Sequence, residues 1–367
     1  MRRRLLYGIL IALLVITGGV TVEWLLLTGS SPQAVIAALE PPSQQIPVVY
    51  SRPLFETGVV FPRWGTDAYT TSDPNYAIGL NEIQNQTAAR WIELTIDLYQ
   101  ATTTSTVVEA ESTTPTPEAL EAGIQMAHAN GFRVFVAPLL TVGTNTWSGR
   151  ISFTNTRQGR AWFTSYWNLL RPYLVASAYA GAEQFAIGTE YYELERGWTS
   201  EWNNLISEAH AVFPGILTYD LNFSTLQEPQ LPTWLKNPLL TYIGISCYFS
   251  LTNRPERVDP SLMPDLWYQN VETVLDTSAV RLGKQILISE VGYRNSSDAL
   301  YQPYVHATSA PPDPKEQAGA YQAALQNTVP DPHIAGIFFW AWSLPPFSPN
   351  WLPAAGVMHH WYTSPAA

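Results

Sequence analysis

A parallel (β/α)8 barrel, a TIM barrel of the α/β class, is the fold this chain predicts, and three observations predict it. Short apolar runs recur along the chain with helix-length segments between them, the alternation of a mostly parallel sheet wrapped by helices. The 367 residues are 46% hydrophobic and 13% aromatic, enough for one large core of barrel size. Helix start and stop signals fall between the runs.

In order, the candidate strands are Gly58 to Phe61, Trp91 to Leu98, Val134 to Leu140, Gln184 to Ile187, Ile216 to Tyr219, Tyr242 to Ser246, Ile286 to Ser289 and Ala335 to Trp342. Thr116-Pro117-Glu118 opens a helix over Ala119 to Ala129 with a capping residue, a first-turn proline and an acidic first turn, and Asn130-Gly131 closes it. Trp162 to Tyr179, Glu201 to Phe213, Leu266 to Leu282 and Lys315 to Asn327 supply further helical stretches. The threonine-rich stretch Thr102 to Thr116 is expected as a flexible surface loop, with an O-glycosylated or substrate-covering segment as the alternative. No repeat of sequence appears.

Arg2, Arg3 and Arg4 precede Leu5 to Val22, an uncharged run about as long as a bilayer crossing requires. Residues 1–29 therefore read as a signal anchor, or as a signal peptide that is cleaved, and residues 30–53, rich in Pro, Ser, Gln and Ala, as a linker. The barrel domain follows over 54–367, exported and membrane-anchored on the outer face of the cytoplasmic membrane, or secreted if the segment is cleaved. A formal net charge of -11 argues against nucleic acid or an anionic membrane surface as partner of the folded part. Cys247 is the single cysteine, so no internal disulfide is available. His128, His210 and the pair His359 and His360 show no ligand spacing with Cys or Asp, and neither a metal nor another cofactor is expected. Oligomeric state has no signature in the sequence.

Two stretches carry the chemistry. Ile187-Gly188-Thr189-Glu190 and Ile288-Ser289-Glu290-Val291-Gly292-Tyr293 each place a glutamate at the outlet of an apolar run. Barrel outlets gather on one face, where active sites form. A carboxyl pair facing across a pocket is the equipment of glycoside hydrolysis: one group protonated to help the leaving oxygen depart, one ionised to attack or stabilise the sugar carbon. Glu190 ends the fourth candidate strand and Glu290 the seventh.

That placement, together with Trp91 to Gln100 ending in Tyr99-Gln100, Trp147-Ser148-Gly149-Arg150-Ile151, Leu217-Thr218-Tyr219, Ile243-Gly244-Ile245 and Gly336-Ile337-Phe338-Phe339-Trp340-Ala341-Trp342, resembles glycoside hydrolase family 113, the β-mannanases of clan A, from about Val59 to Trp342. The resemblance implies Glu190 as general acid/base and Glu290 as nucleophile of a retaining hydrolase acting on a carbohydrate substrate. It implies that Tyr248, after the sixth strand, hydrogen-bonds the nucleophile, and that Asn222, after the fifth, holds a sugar hydroxyl. Trp340 and Trp342 alternate along the last run and so should point the same way, either as a stacking surface for a pyranose or as barrel core. Trp64 and Trp147 are further candidates of that kind, and Tyr99 and Gln100 join the substrate-binding set through the resemblance. Glu193 and Glu195 are expected as rim charges, and the role of Asp97 stays open.

After the third strand, where the family has a His and an Asp, this chain reads Pro138-Leu139-Leu140-Thr141, and after the second it reads Ile96-Asp97-Leu98 in place of an aromatic segment. Both departures fall on the sugar-binding face and put substrate identity in question. Retaining hydrolysis of a mannan-like or other β-hexoside is the leading reading. Transglycosylation through the same covalent intermediate and a catalytically idle carbohydrate-binding barrel are the alternatives.

Overall fold

A computed structural model describes residues 55–364. The anchor or signal over 1–29 and the linker over 30–53 lie outside the described residues. Among the described residues, no helix is long and apolar enough to cross a membrane.

Eight parallel strands close on themselves in sequence order. They are β1 Glu56–Val60, β2 Trp91–Gln100, β3 Arg133–Val142, β4 Gln184–Thr189, β5 Ile216–Asn222, β6 Ile243–Ser246, β7 Ile286–Val291 and β8 Ile334–Phe339. β8 pairs back onto β1, with Gly58 opposite Phe338. That position needs glycine: a Cβ there would stand 2.2 Å from the Phe338 ring. The ring occupies the barrel axis, where Phe135 meets it edge-on at 5.4 Å between centroids.

Each expected helix forms. α1 Pro74–Thr87 precedes β2; α2 Pro117–Ala129 starts as predicted, with the Thr116 hydroxyl accepting from Ala119 N–H. α3 Thr156–Ala180 is capped by Asn155 and closed by Gly181 in the left-handed region. After β4 come the single turn α4 Tyr192–Glu195 and α5 Thr199–Val212, and after β5 the single turn α6 Phe223–Leu226. Before β7 the expected helix runs without a break from α7 Met263–Trp267 through a π turn over Tyr268–Glu272 into α8 Thr273–Leu282. α9 Pro314–Thr328 and α10 Pro353–Tyr362 complete the outer ring. α1 and α10 were not expected. α1 buries Tyr76, Gly79, Leu80 and Ile83, a stripe of the right spacing in which the glycine dilutes the apolar signal.

The threonine-rich stretch is a surface loop, as expected, pinned to β2: Tyr99 and Glu109 exchange backbone hydrogen bonds, and buried Thr114 donates to the Asp97 carbonyl. One expectation is corrected here. The last strand stops at Phe339, before both tryptophans.

Candidate active site

Thr189 ends β4, and Glu190 turns out of it at φ +58°. A non-glycine residue held in the left-handed region costs about 1 kcal/mol. Here it is held from both sides, because Glu190 N–H donates to the Asp220 carbonyl at 2.8 Å and Tyr192 N–H donates to the Glu190 carbonyl at 2.9 Å. Its carboxylate accepts from Asn222 Nδ2 at 2.7 Å and from Trp147 Nε1 at 3.0 Å. Glu290, next to last in β7, accepts from the Tyr248 hydroxyl on Oε1. Both glutamates line one cavity of about 600 Å³, with Trp147, Arg150, Tyr248 and Trp340. A wider hollow of about 770 Å³ along 250–270 has Glu256 engaged by Arg254 and Asp259 capping Ser261, so its acids are already occupied.

Burial pushes the Glu290 carboxyl up to about 8, the charge of Glu190 adds to the rise, and the Tyr248 hydroxyl pulls it back. Burial likewise raises Glu190, against hydrogen bonds from Trp147, Asn222 and Ser246. Two interacting carboxyl groups in one cavity favour a singly protonated pair. Tyr248 stays a phenol, held far above its ordinary range by burial and by Glu290.

A second tier of acids lies beneath. Asp220 on β5 accepts from the Ser246 hydroxyl at 3.2 Å on Oδ2, while its Oδ1 is buried without a donor. Burial first, then the nearby charges, pushes both Asp220 and Glu93 of β2 well above the usual carboxylate value, which favours the protonated form of each. Alternation along β5 was the available signal for Asp220, two residues before Asn222.

Glu195 is not a rim charge. It is fully buried, accepting from the Tyr219 hydroxyl at 3.1 Å, from Asn222 N–H at 3.4 Å and from the Thr225 hydroxyl. Tyr219 in turn accepts from Tyr191 N–H at 3.0 Å. One buried carboxyl thus ties the outlet of β4 to that of β5 and sets where Asn222 meets Glu190. Glu193 does sit at the rim, 3.9 Å from Arg150.

The other sequence candidates separate. Trp340 lines the cavity, whereas Trp342 is 1% exposed and packs in the outer core. With the strand ended at Phe339, period-two alternation no longer holds, and the two rings go to different places. Asn222 reaches Glu190 and also borders the cavity. Trp64 is 44% exposed and away from the cavity lining. Gln100 faces the helices, its Oε1 accepting from Trp162 Nε1 at 2.7 Å and its amide donating to the Thr102 carbonyl. The Tyr99 hydroxyl lies over Gly143, likewise outside the cavity lining. Asp97 accepts from the hydroxyls of Thr113 at 2.7 Å and Thr141 at 2.9 Å and is locally satisfied.

Sequence reasoning missed Phe223, Tyr304, His306 and Phe347 on the cavity wall. Tyr304 and His306 come from the β7–α9 connection, which the buried Arg294 organises by donating to the carbonyls of Asp298, Tyr301, Gln302 and Val305. Only Arg294, just past the Glu290 motif, hinted at it. Among the described residues one trio has ligand geometry for a metal ion, Asp276, Asp331 and His333, at the strand entrances, away from the cavity. His333 is not among the histidines that the sequence singled out.

Residues 63–350 match the Glycoside Hydrolase Family 113 profile. Among solved structures, a β-1,4-mannanase of that family bound in a complex superposes with a TM-score of 0.73 at 21% identity, covering 85% of this chain and 100% of the other. The β-mannanase from Alicyclobacillus acidocaldarius, in complex with ManMIm, gives 0.71 at 19% identity over 85% and 98%. A family 5 mannosidase from Rhizomucor miehei gives 0.57 at 11% identity over 85% and 94%. No curated protein matches in sequence.

Proposed function

The chain belongs to glycoside hydrolase family 113, and from that premise we propose that it is a retaining glycosidase acting on a β-linked hexose oligo- or polysaccharide. The observation that carries the reading is the placement of Glu190 and Glu290 on one cavity, Glu190 held by Asn222 at the end of β5 and Glu290 by Tyr248 just after β6. In the proposed first step the Glu290 carboxylate attacks the anomeric carbon while Glu190 gives its proton to the departing oxygen. In the second, Glu190 takes a proton from water, which cleaves the glycosyl ester.

The proton balance of the free protein does not by itself favour these roles, since burial keeps a proton on Glu290 to about 8 and two N–H donors favour the ionised form of Glu190. Substrate supplies the missing bias. Positive charge developing at the sugar carbon stabilises an ionised Glu290, and the leaving oxygen gives a proton on Glu190 a partner. Tyr248 then holds the ionised Glu290 in place. Hydrolysis is favoured over an idle barrel because both glutamates keep their donors. Hydrolysis and glycosyl transfer share the intermediate and differ in which acceptor enters the cavity.

A screen of the purified barrel domain on aryl β-glycosides and on mannan, glucan and galactan tests this. Turnover abolished by Glu290→Ala supports the reading; inertness on every substrate leaves the carbohydrate-binding barrel. The reading also carries the proposal that residues 1–29 hold the barrel outside the cell.

A further inference from the structure

Asp276, Asp331 and His333 gather where β8 begins, away from the cavity, and Glu272 is near enough for the charges of Asp331 and Asp276 to act on it. Glu272 and Asp276 stand one helical turn apart, the spacing at which like charges repel. His333 Nδ1 lies 3.1 Å from Asp276 Oδ1 and 3.4 Å from Asp331 Oδ1. One ligand atom from each of these three residues falls within 4.8 Å of the others. Asp331 is 7% exposed, and its Oδ1 accepts the His333 backbone N–H at 2.8 Å. Its Oδ2 is buried without a donor, and its carboxyl lies within hydrogen-bonding reach of that of Asp276. Glu272 Oε2 is buried without a donor as well. Among the described residues, the only ion pairs made by these three carboxyl groups are to His333.

We propose that this cluster is a structural site for one divalent cation of the zinc type. A buried carboxylate oxygen facing another carboxylate needs a proton or a cation between them. An ion pair to His333 satisfies Asp276 and Asp331 Oδ1 but leaves Asp331 Oδ2 without a donor, whereas a cation held by Asp276, Asp331 and His333 adds a coordination site for it. Ligands about 2.0–2.2 Å from a tetrahedral zinc are about 3.3–3.6 Å from one another, and the separations of 3.1 and 3.4 Å lie close to that range. The imidazole nitrogen selects zinc or a similar transition metal over calcium or magnesium, which favour oxygen-only shells. Asp276 is 39% exposed on its side chain, so the site opens to solvent for entry. The cation would join α8 to the start of β8, at the barrel end where residues serve stability.

The test uses chelator-treated, re-dialysed full chain titrated with zinc chloride by calorimetry, with manganese and calcium chlorides as comparisons, and with melting followed in parallel. The expected result is one equivalent of zinc bound, a melting temperature raised by several degrees at a hundredfold excess over Kd, and affinity at least tenfold lower in both Asp276→Asn and His333→Gln. Glu290→Gln should bind zinc unchanged, separating this site from the cavity carboxyls. Asp276→Asn changes a partly exposed helix position, so loss of binding in that variant is not a folding failure if its metal-free melting temperature equals that of the parent. Absence of a one-equivalent site, equal affinity in the variants, or tighter binding of calcium than of zinc overturns the proposal.

Discussion

Replacing Glu195 by glutamine isolates the buried carboxyl that joins the β4 and β5 outlets. An ordinary glutamate releases its proton near 4.5, while burial holds that of Glu195 to about 8 against the hydrogen bonds it accepts. The folded-state value is raised, so the stabilisation is complete below about 4.5 and is lost as pH rises through about 8. The full difference is worth up to ~5 kcal/mol. Glutamine has the shape of the protonated acid: its Oε1 still accepts from Tyr219 and Asn222, and its amide can donate to the Thr225 hydroxyl. Glu195→Gln should therefore melt within a few degrees of the parent at pH 5.5. At pH 9 it should be the more stable protein by up to about 10 °C, at roughly 2 °C per kcal/mol for a domain of this size. Differential scanning calorimetry across that range is the assay. Parallel pH profiles for the two proteins would refute the claim that Glu195 is buried and neutral.

Trp340→Ala should raise KM severalfold, since the ring borders the cavity, and should also cost stability, since it is buried in the inner barrel cluster, whereas Trp342→Ala should cost about 3–5 kcal/mol of stability by denaturant titration and leave KM unchanged. Equal effects would mean that the two rings share one environment. Leu139 packs against the inner barrel cluster and the Thr141 hydroxyl is engaged by Asp97, so this subsite offers little to a sugar hydroxyl. The ratio of kcat/KM for matched β-mannoside and β-glucoside oligomers should then stay below about a hundredfold, roughly 2.7 kcal/mol; a larger preference for mannoside means that other residues supply the contact. Fractionated cells should hold the full chain in the membrane pellet with the residues after Ser30 open to external protease; a soluble secreted form starting near Ala38 would show a cleaved signal instead.

The barrel was legible because its strands are buried on both faces and so read as apolar runs bounded by turn residues. Glu190 and Glu290 stood out because each is a lone charge ending such a run. Other errors have a common physical origin. Trp342 was paired with Trp340 by an alternation that lasts only while the strand does, and β8 ends at Phe339. Glu195 looked like a rim charge because sequence does not show that Tyr219, Thr225 and Asn222 N–H converge on it from β5 and α6. Tyr304 and His306 reach the cavity from a connection shaped by four carbonyl contacts to Arg294, a long-range arrangement with no local period. Tyr99 and Gln100 sit at a strand outlet, as the resemblance requires, but with Tyr99 over Gly143 and Gln100 turned toward α3.

The central claim, that Glu290 forms a covalent bond to sugar with Glu190 assisting departure, is tested most directly by mass spectrometry of the intact chain after incubation with an activated 2-deoxy-2-fluoro-β-glycoside of the best substrate found in the screen. The predicted result is a mass increase of one fluoroglycosyl group per chain, located by peptide mapping on Glu290 and absent from Glu290→Ala. A label on any other residue, or no label alongside an inverted product anomer by NMR, would contradict it.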